Sequence, residues 1–177
     1  TIAYPNSGTF TVSGAQGALS VASSATGVAT ASVSGTTVTM KSVKPGSATI
    51  TVTAAGNENY KDGSKTYALT VVKGTNTLTL SATSGSTSYP SSKTFTVSKN
   101  TSNGALSVSS SSTGVAAASI SGATVTMTPK ATGTATITVT SAATDYYNEA
   151  KATYALTVNK GTITATVSNP SKVYDGT

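Results

Sequence analysis

Apolar residues recur at every second position along most of the chain, with Thr or Ser between them. Ala48-Thr49-Ile50-Thr51-Val52-Thr53 and Ala135-Thr136-Ile137-Thr138-Val139-Thr140 are the clearest runs. This period-two alternation predicts strands with one buried face, and no stretch carries a helical period. Turn residues interrupt the alternation every 6–12 positions, the spacing of a β-sandwich. Between residues 74 and 160 the pattern predicts strands at 77–83, 93–98, 105–109, 115–120, 124–128, 134–141 and 152–159. Ser121-Gly122 is expected to join the fourth and fifth as a tight hairpin, as Ser34-Gly35 does earlier.

The pattern occurs twice. Thr94-Phe95-Thr96-Val97 repeats Thr9-Phe10-Thr11-Val12 at an offset of 85. After a two-residue insertion the offset becomes 87, and Thr153-Tyr154-Ala155-Leu156-Thr157-Val158 answers Thr66-Tyr67-Ala68-Leu69-Thr70-Val71. The expected core of the first copy is Phe10, Val12, Leu19, Val21, Val28, Val38, Met40, Ile50, Val52, Leu69 and Val71, and the second copy has an apolar residue at each equivalent, from Phe95 to Val158. Two such copies predict an all-β chain of small sandwiches, antiparallel and of about seven strands each, arranged end to end.

The expected boundaries are 1–73 for a sandwich lacking its first strand, 74–160 for a complete one, and 161–177 for the first strand of a following repeat. The first copy begins just before Tyr4-Pro5, whereas the second has strand 77–83 ahead of Tyr89-Pro90. Thr162-Ile163-Thr164-Ala165-Thr166-Val167 restarts the pattern. A lone strand cannot bury its apolar face. The expectation is therefore a segment of a longer array, with any signal peptide upstream, or a spare strand that completes a neighbour.

Ser and Thr supply 65 residues against 16 charged ones, so the sheets have polar but uncharged outer faces. Cysteine, histidine and tryptophan are absent, which excludes disulfides, thiolate metal sites and histidine-dependent catalysis. The net charge of +6 comes from scattered lysines with no arginine. That argues against a nucleic-acid partner, and is compatible with attraction to anionic cell-wall polymers or polysaccharides. No run of 18 apolar residues exists, so no membrane insertion is expected.

The motif Val43-Lys44-Pro45-Gly46-Ser47-Ala48-Thr49-Ile50-Thr51-Val52, its echo at 133–140, and the ending Tyr67-Ala68-Leu69-Thr70-Val71 resemble bacterial immunoglobulin-like repeats of the invasin/intimin type (the Big repeats of cell-surface adhesins). The tail Lys172-Val173-Tyr174-Asp175-Gly176-Thr177 resembles the start of a Tyr-Asp-Gly adhesin repeat. The resemblance implies tandem Ig-like sandwiches in a bacterial extracellular or cell-surface protein, with no catalysis and no cofactor.

The acids are Glu58, Asp62, Asp145, Glu149 and Asp175. In each copy two of them lie in the loop before the last strand, where solvated charge is the expected role. Neither a glycosidase pair nor the ligand spacing of a calcium loop is met. Lys65 and Lys151 lie near Asp62 and Glu149, and are expected as surface pairs rather than isopeptide partners. Asn100-Thr101-Ser102 fits an Asn-glycosylation pattern that is expected to stay unused in a bacterial protein. Tyr67 shares a face with Leu69 and Val71, so it is expected in the core with its hydroxyl at the rim. The candidate ligand or interdomain contacts are Tyr60, Tyr146 and Tyr147, in the end loops.

The expected function is a structural spacer or stalk of an adhesin-like protein, acting through the hydrogen bonds of its terminal strands. Its expected partners are neighbouring Ig-like repeats, with cell-surface glycans or a host receptor as further candidates. Two alternatives stay open: a self-assembling extracellular fibre, a head-to-tail homo-oligomer completed by strand donation from 161–177, and a carbohydrate-binding module using the end-loop tyrosines.

Overall fold

The computed structural model describes residues 1–167 and 175–176. Its strands follow the alternation closely. The first half holds β1 (Ile2–Ala3), β2 (Ser7–Thr11), β3 (Leu19–Ser23), β4 (Ala29–Ser34), β5 (Thr37–Ser42), β6 (Gly46–Ala54) and β7 (Gly63–Val72). The second holds β8 (Leu78–Leu80), β9 (Ser84–Ser88), β10 (Lys93–Asn100), β11 (Leu106–Ser110), β12 (Ala116–Ser121), β13 (Thr124–Pro129), β14 (Gly133–Ser141) and β15 (Ala150–Asn159). Both predicted hairpins form, with Gly35 and Gly122 at φ of 54° and 55°, the left-handed geometry such turns require.

Four sheets pair into two sandwiches. In the second half one sheet runs β12-β13-β10-β8 and the other β11-β14-β15-β9. The order reproduces the immunoglobulin arrangement, four strands in the first sheet and a three-strand sheet facing it, with β9 added parallel to β15. In the first half the sheets are β2-β5-β4 and β1-β7-β6-β3, with β1 parallel to β7. The three-stranded sheet has no counterpart of β8, so one edge of β2 is unpaired among the described residues.

Each sandwich has its own core. Val38, Met40, Ile50, Leu69 and Val71 are buried in the first, and Val125, Met127, Ile137, Leu156 and Val158 in the second. Phe10, Val12, Leu19, Val21 and Val28, expected as core, are only partly buried against theirs. Leu78 and Leu80 of β8 pack on the second core, and Phe95 there is 4% exposed.

Three expectations are corrected. Tyr67 is 38% exposed, whereas Tyr154, its equivalent, is 1% exposed. The cover over Tyr154 includes Gly85 of β9, which touches its hydroxyl. β1 is only two residues long and does not reach Tyr67. The strand expected at 77–83 forms only over Leu78–Leu80 as β8, and β9 at Ser84–Ser88, which was not expected, follows it in the other sheet. Residues 162–167, expected as a strand, join no sheet, and Ile163 and Val167 are 94% and 92% exposed. The tail motif around Tyr174 lies outside the described residues, apart from Asp175 and Gly176.

Candidate functional site

Each sandwich has two unlike ends, separated by the ten residues of β7 or β15, about 33 Å of strand. One end carries a Tyr-Pro pair joined by a cis peptide, Tyr4-Pro5 or Tyr89-Pro90. Backbone hydrogen bonds of 3.0 Å, Tyr4 N–H to Val72 O and Tyr89 N–H to Asn159 O, tie these pairs to the last strands. The other end carries the loop before the last strand. Its shape is the same in both copies: the amides of Asn57 and Thr144 donate to the carbonyls of Tyr60 and Tyr147 at 2.8 and 2.9 Å. The Asn57 carboxamide oxygen accepts from the Asn59 and Tyr60 amides, and the Thr144 hydroxyl accepts from those of Tyr146 and Tyr147.

The Tyr-Pro end of the first sandwich meets the loop end of the second. Tyr4 packs on Tyr146 with ring centroids 5.0 Å apart, and edge-on to Tyr147 at 5.5 Å. Gly74 lies in the joint: its N–H donates to Tyr146 O at 2.8 Å, and its carbonyl accepts from Asn148 N–H at 3.0 Å. A Cβ at Gly74 would run into the carbonyl oxygen of Tyr4 and meet the Tyr147 ring at 3.0 Å, so glycine is required by close approach. Lys44 Nζ lies 3.6 Å from Asp145 Oδ2 across the joint, with both side chains more than half exposed.

Of the three tyrosines singled out in the sequence, Tyr146 and Tyr147 therefore lie together on Tyr4, and Tyr60 stands apart at the far end, 60% exposed. Tyr4 and Gly74 were not singled out. The signal for Gly74 is its recurrence as Gly161 in Lys-Gly-Thr, and for Tyr4 its recurrence as Tyr89 in Tyr-Pro.

A polar cluster pins the start of β8's segment to the second sandwich. Asn76 and Ser141 are buried, and Asn76 Nδ2 donates to Ser141 Oγ at 2.9 Å. The Asn76 carboxamide oxygen accepts from Ser102 N–H at 3.0 Å. Ser141 Oγ donates to Asn100 Oδ1 at 2.9 Å, and Asn100 Nδ2 donates to Gly104 O at 3.0 Å. These residues satisfy one another, and the Asn100 carboxamide of the glycosylation pattern is one of them.

The acidic loops hold themselves together. Asp62 Oδ1 accepts from Gly56 N–H at 2.6 Å, and Lys151 Nζ pairs with Glu149 at 3.0 Å on the surface. Among the described residues no group of three or more His, Cys, Asp or Glu could hold a metal ion. Among the described residues no helix is long and apolar enough to cross a membrane. Burial pushes the Tyr154 phenol pKa up from its ordinary value.

No protein-family profile matches the chain, and no curated protein does. Among solved structures the chain is similar to the S-layer protein SbsC (residues 31-844), at 24% identity and a TM-score of 0.44, covering 83% of this chain and 21% of that one. The chain thus spans about a fifth of that protein. Domains 4 and 5 of SbsC align at 24% identity and a TM-score of 0.40, over 80% of this chain and 76% of that one. The D00-D0 domain of intimin aligns at 14% identity and a TM-score of 0.31, over 85% and 92%.

Proposed function

We propose that this chain is a non-catalytic spacer or stalk segment of an adhesin-like bacterial protein, cell-surface or secreted. The observation that carries the reading is the joint built from Tyr4, Gly74, Tyr146 and Tyr147. A spacer must set a distance, and a distance is set only if successive sandwiches are held rather than strung on a loose linker. Two backbone hydrogen bonds and a three-tyrosine cluster hold them here, without a Gly/Ser linker. Each sandwich then adds about 33 Å, the length of its last strand. The polar, sparsely charged sheet faces suit a segment whose task is reach rather than recognition. In this reading the partners are neighbouring repeats, and any adhesive tip lies elsewhere.

Small-angle X-ray scattering of the dilute chain tests this. The native chain is expected to scatter as one extended particle, and Gly74→Ala or Tyr4→Ala as a broadened distribution of shapes. A native chain already as broad as the variants would remove the basis for a spacer.

A further inference from the structure

The chain offers an oxidant few targets besides tyrosine. Cysteine, histidine and tryptophan are absent. The two methionines, Met40 and Met127, are 2% and 0% exposed within the cores, where burial shields a thioether. Tyrosine is therefore the side chain most open to one-electron oxidation. Among the described residues tyrosine meets tyrosine in one place, where Tyr4 touches Tyr146 and Tyr147. Tyr67 and Tyr154 stack on Phe10 and Phe95 instead. We propose that Tyr4 and Tyr146 form a site of oxidative phenol coupling, a carbon–carbon staple between the two sandwiches.

Coupling needs two phenols in contact, access for the oxidant, and a free ring carbon beside each hydroxyl. Tyr146 is 39% exposed and Tyr4 is half-buried. Their centroids lie 5.0 Å apart with the planes tilted by 46°, which is contact distance for an aromatic pair. Tyr147 is the rival partner, but it stands farther off, edge-on at 5.5 Å. Its Cδ1–Cε1 side also faces Gly74, where a Cβ would lie 3.0 Å from both atoms. One of its two carbons beside the hydroxyl, Cε1, is thus turned to the backbone. The joint holds both members of the favoured pair. Tyr4 N–H donates to Val72 O at 3.0 Å, and Tyr146 O accepts from Gly74 N–H at 2.8 Å. Two radicals formed here meet without diffusing, as in any reaction between groups already held together.

The step balances with a peroxide as oxidant. Each phenol loses one electron and its hydroxyl proton. The two phenoxyl radicals join through a Cε carbon of each ring, and the hydrogen on each joined carbon moves to its own oxygen, which restores both phenols. The pair has then given up two electrons and two protons. Hydrogen peroxide, activated by a peroxidase, takes them and becomes two waters. The new bond closes a loop from residue 4 to residue 146, so it restricts the unfolded chain and keeps the sandwiches tied when the hydrogen bonds of the joint open. A chain without cysteine has no disulfide to do this. The coupling requires the joint and not a spacer role: an extended particle in scattering that fails to cross-link would overturn the coupling alone.

The test treats the dilute native chain with a peroxidase and hydrogen peroxide and then digests it with trypsin. Cleavage after lysine releases Tyr4 in residues 1–41 and Tyr146 in residues 131–151. The expected product is a monomer with dityrosine fluorescence. In it these two peptides are joined with the loss of two hydrogens, and fragment-ion sequencing places the bond on Tyr146. Tyr4→Phe and Tyr146→Phe keep the aromatic packing and are expected to abolish the joined peptides, whereas Tyr147→Phe retains them. At a dose that couples free tyrosine, a 1–41 peptide left unlinked, or linked only between molecules, would overturn the proposal. A joined product that survives Tyr146→Phe would overturn it as well.

Discussion

Tyr67 and Tyr154 occupy the same position in the two repeats, and their truncation to alanine is expected to cost different amounts. Tyr154 is 1% exposed and stacks on Phe95 with centroids 4.5 Å apart and planes 9° apart. Removing a fully buried aromatic costs about 3–5 kcal/mol. Tyr67 stacks on Phe10 at 5.0 Å and 22°, but is 38% exposed. Scaling by the buried remainder gives about 2–3 kcal/mol, so the two variants should differ by about 1–2 kcal/mol. Urea unfolding of each variant, followed by far-UV circular dichroism in dilute solution, measures the difference through the midpoint at unchanged slope. Equal losses, or a larger loss for Tyr67→Ala, would refute the reasoning that β8 and β9 make the second sandwich the better closed one.

Three further outcomes are expected. Asn76→Ala removes two hydrogen bonds and should cost about 2–3 kcal/mol, Ser141→Ala about 1–2, and the double variant about 1 kcal/mol less than their sum, because the Asn76–Ser141 bond is shared; additivity in a urea double-mutant cycle would show that the bond is not made. The buried Tyr154 phenol binds its proton more tightly folded than unfolded, so its contribution is complete below the ordinary phenol pKa of 10.0 and is lost as the pH rises above it. Ultraviolet titration should show a late-ionising phenol that is missing in Tyr154→Phe. Lys44→Ala should change stability by less than about 1 kcal/mol in thermal unfolding at low or high salt, because its pair with Asp145 is solvent-exposed.

Most strands were legible because Val, Ile and Leu alternate with Thr, and burial of one sheet face demands that alternation. β9 was not, since Ser84-Gly85-Ser86-Thr87-Ser88 carries no apolar residue. Its place comes from backbone pairing with β15 and from the small residue needed above the Tyr154 hydroxyl. The Asn76 cluster was hidden for a different reason. Among so many Ser, Thr and Asn residues, nothing local marks the few that are buried, and partners 65 positions apart, such as Asn76 and Ser141, meet only in the folded chain. Tyr146-Tyr147 stood out as an aromatic pair, but Tyr4 and Gly74 acquire their part only when the two sandwiches are placed together.

The parallel pairing of β1 with β7 and of β9 with β15 sets how each sandwich carries load. Tension applied through the chain ends slides such strands along one another, so all their hydrogen bonds are sheared together instead of being unzipped singly. In the second sandwich this clamp spans five paired positions, from Ala155 with Ser84 to Asn159 with Ser88. In the first it spans two, Ile2 with Val71 and Ala3 with Val72. Loaded between β9 and β15, the second sandwich must therefore break its five pairs together, which calls for a higher peak force than parting the same pairs one at a time.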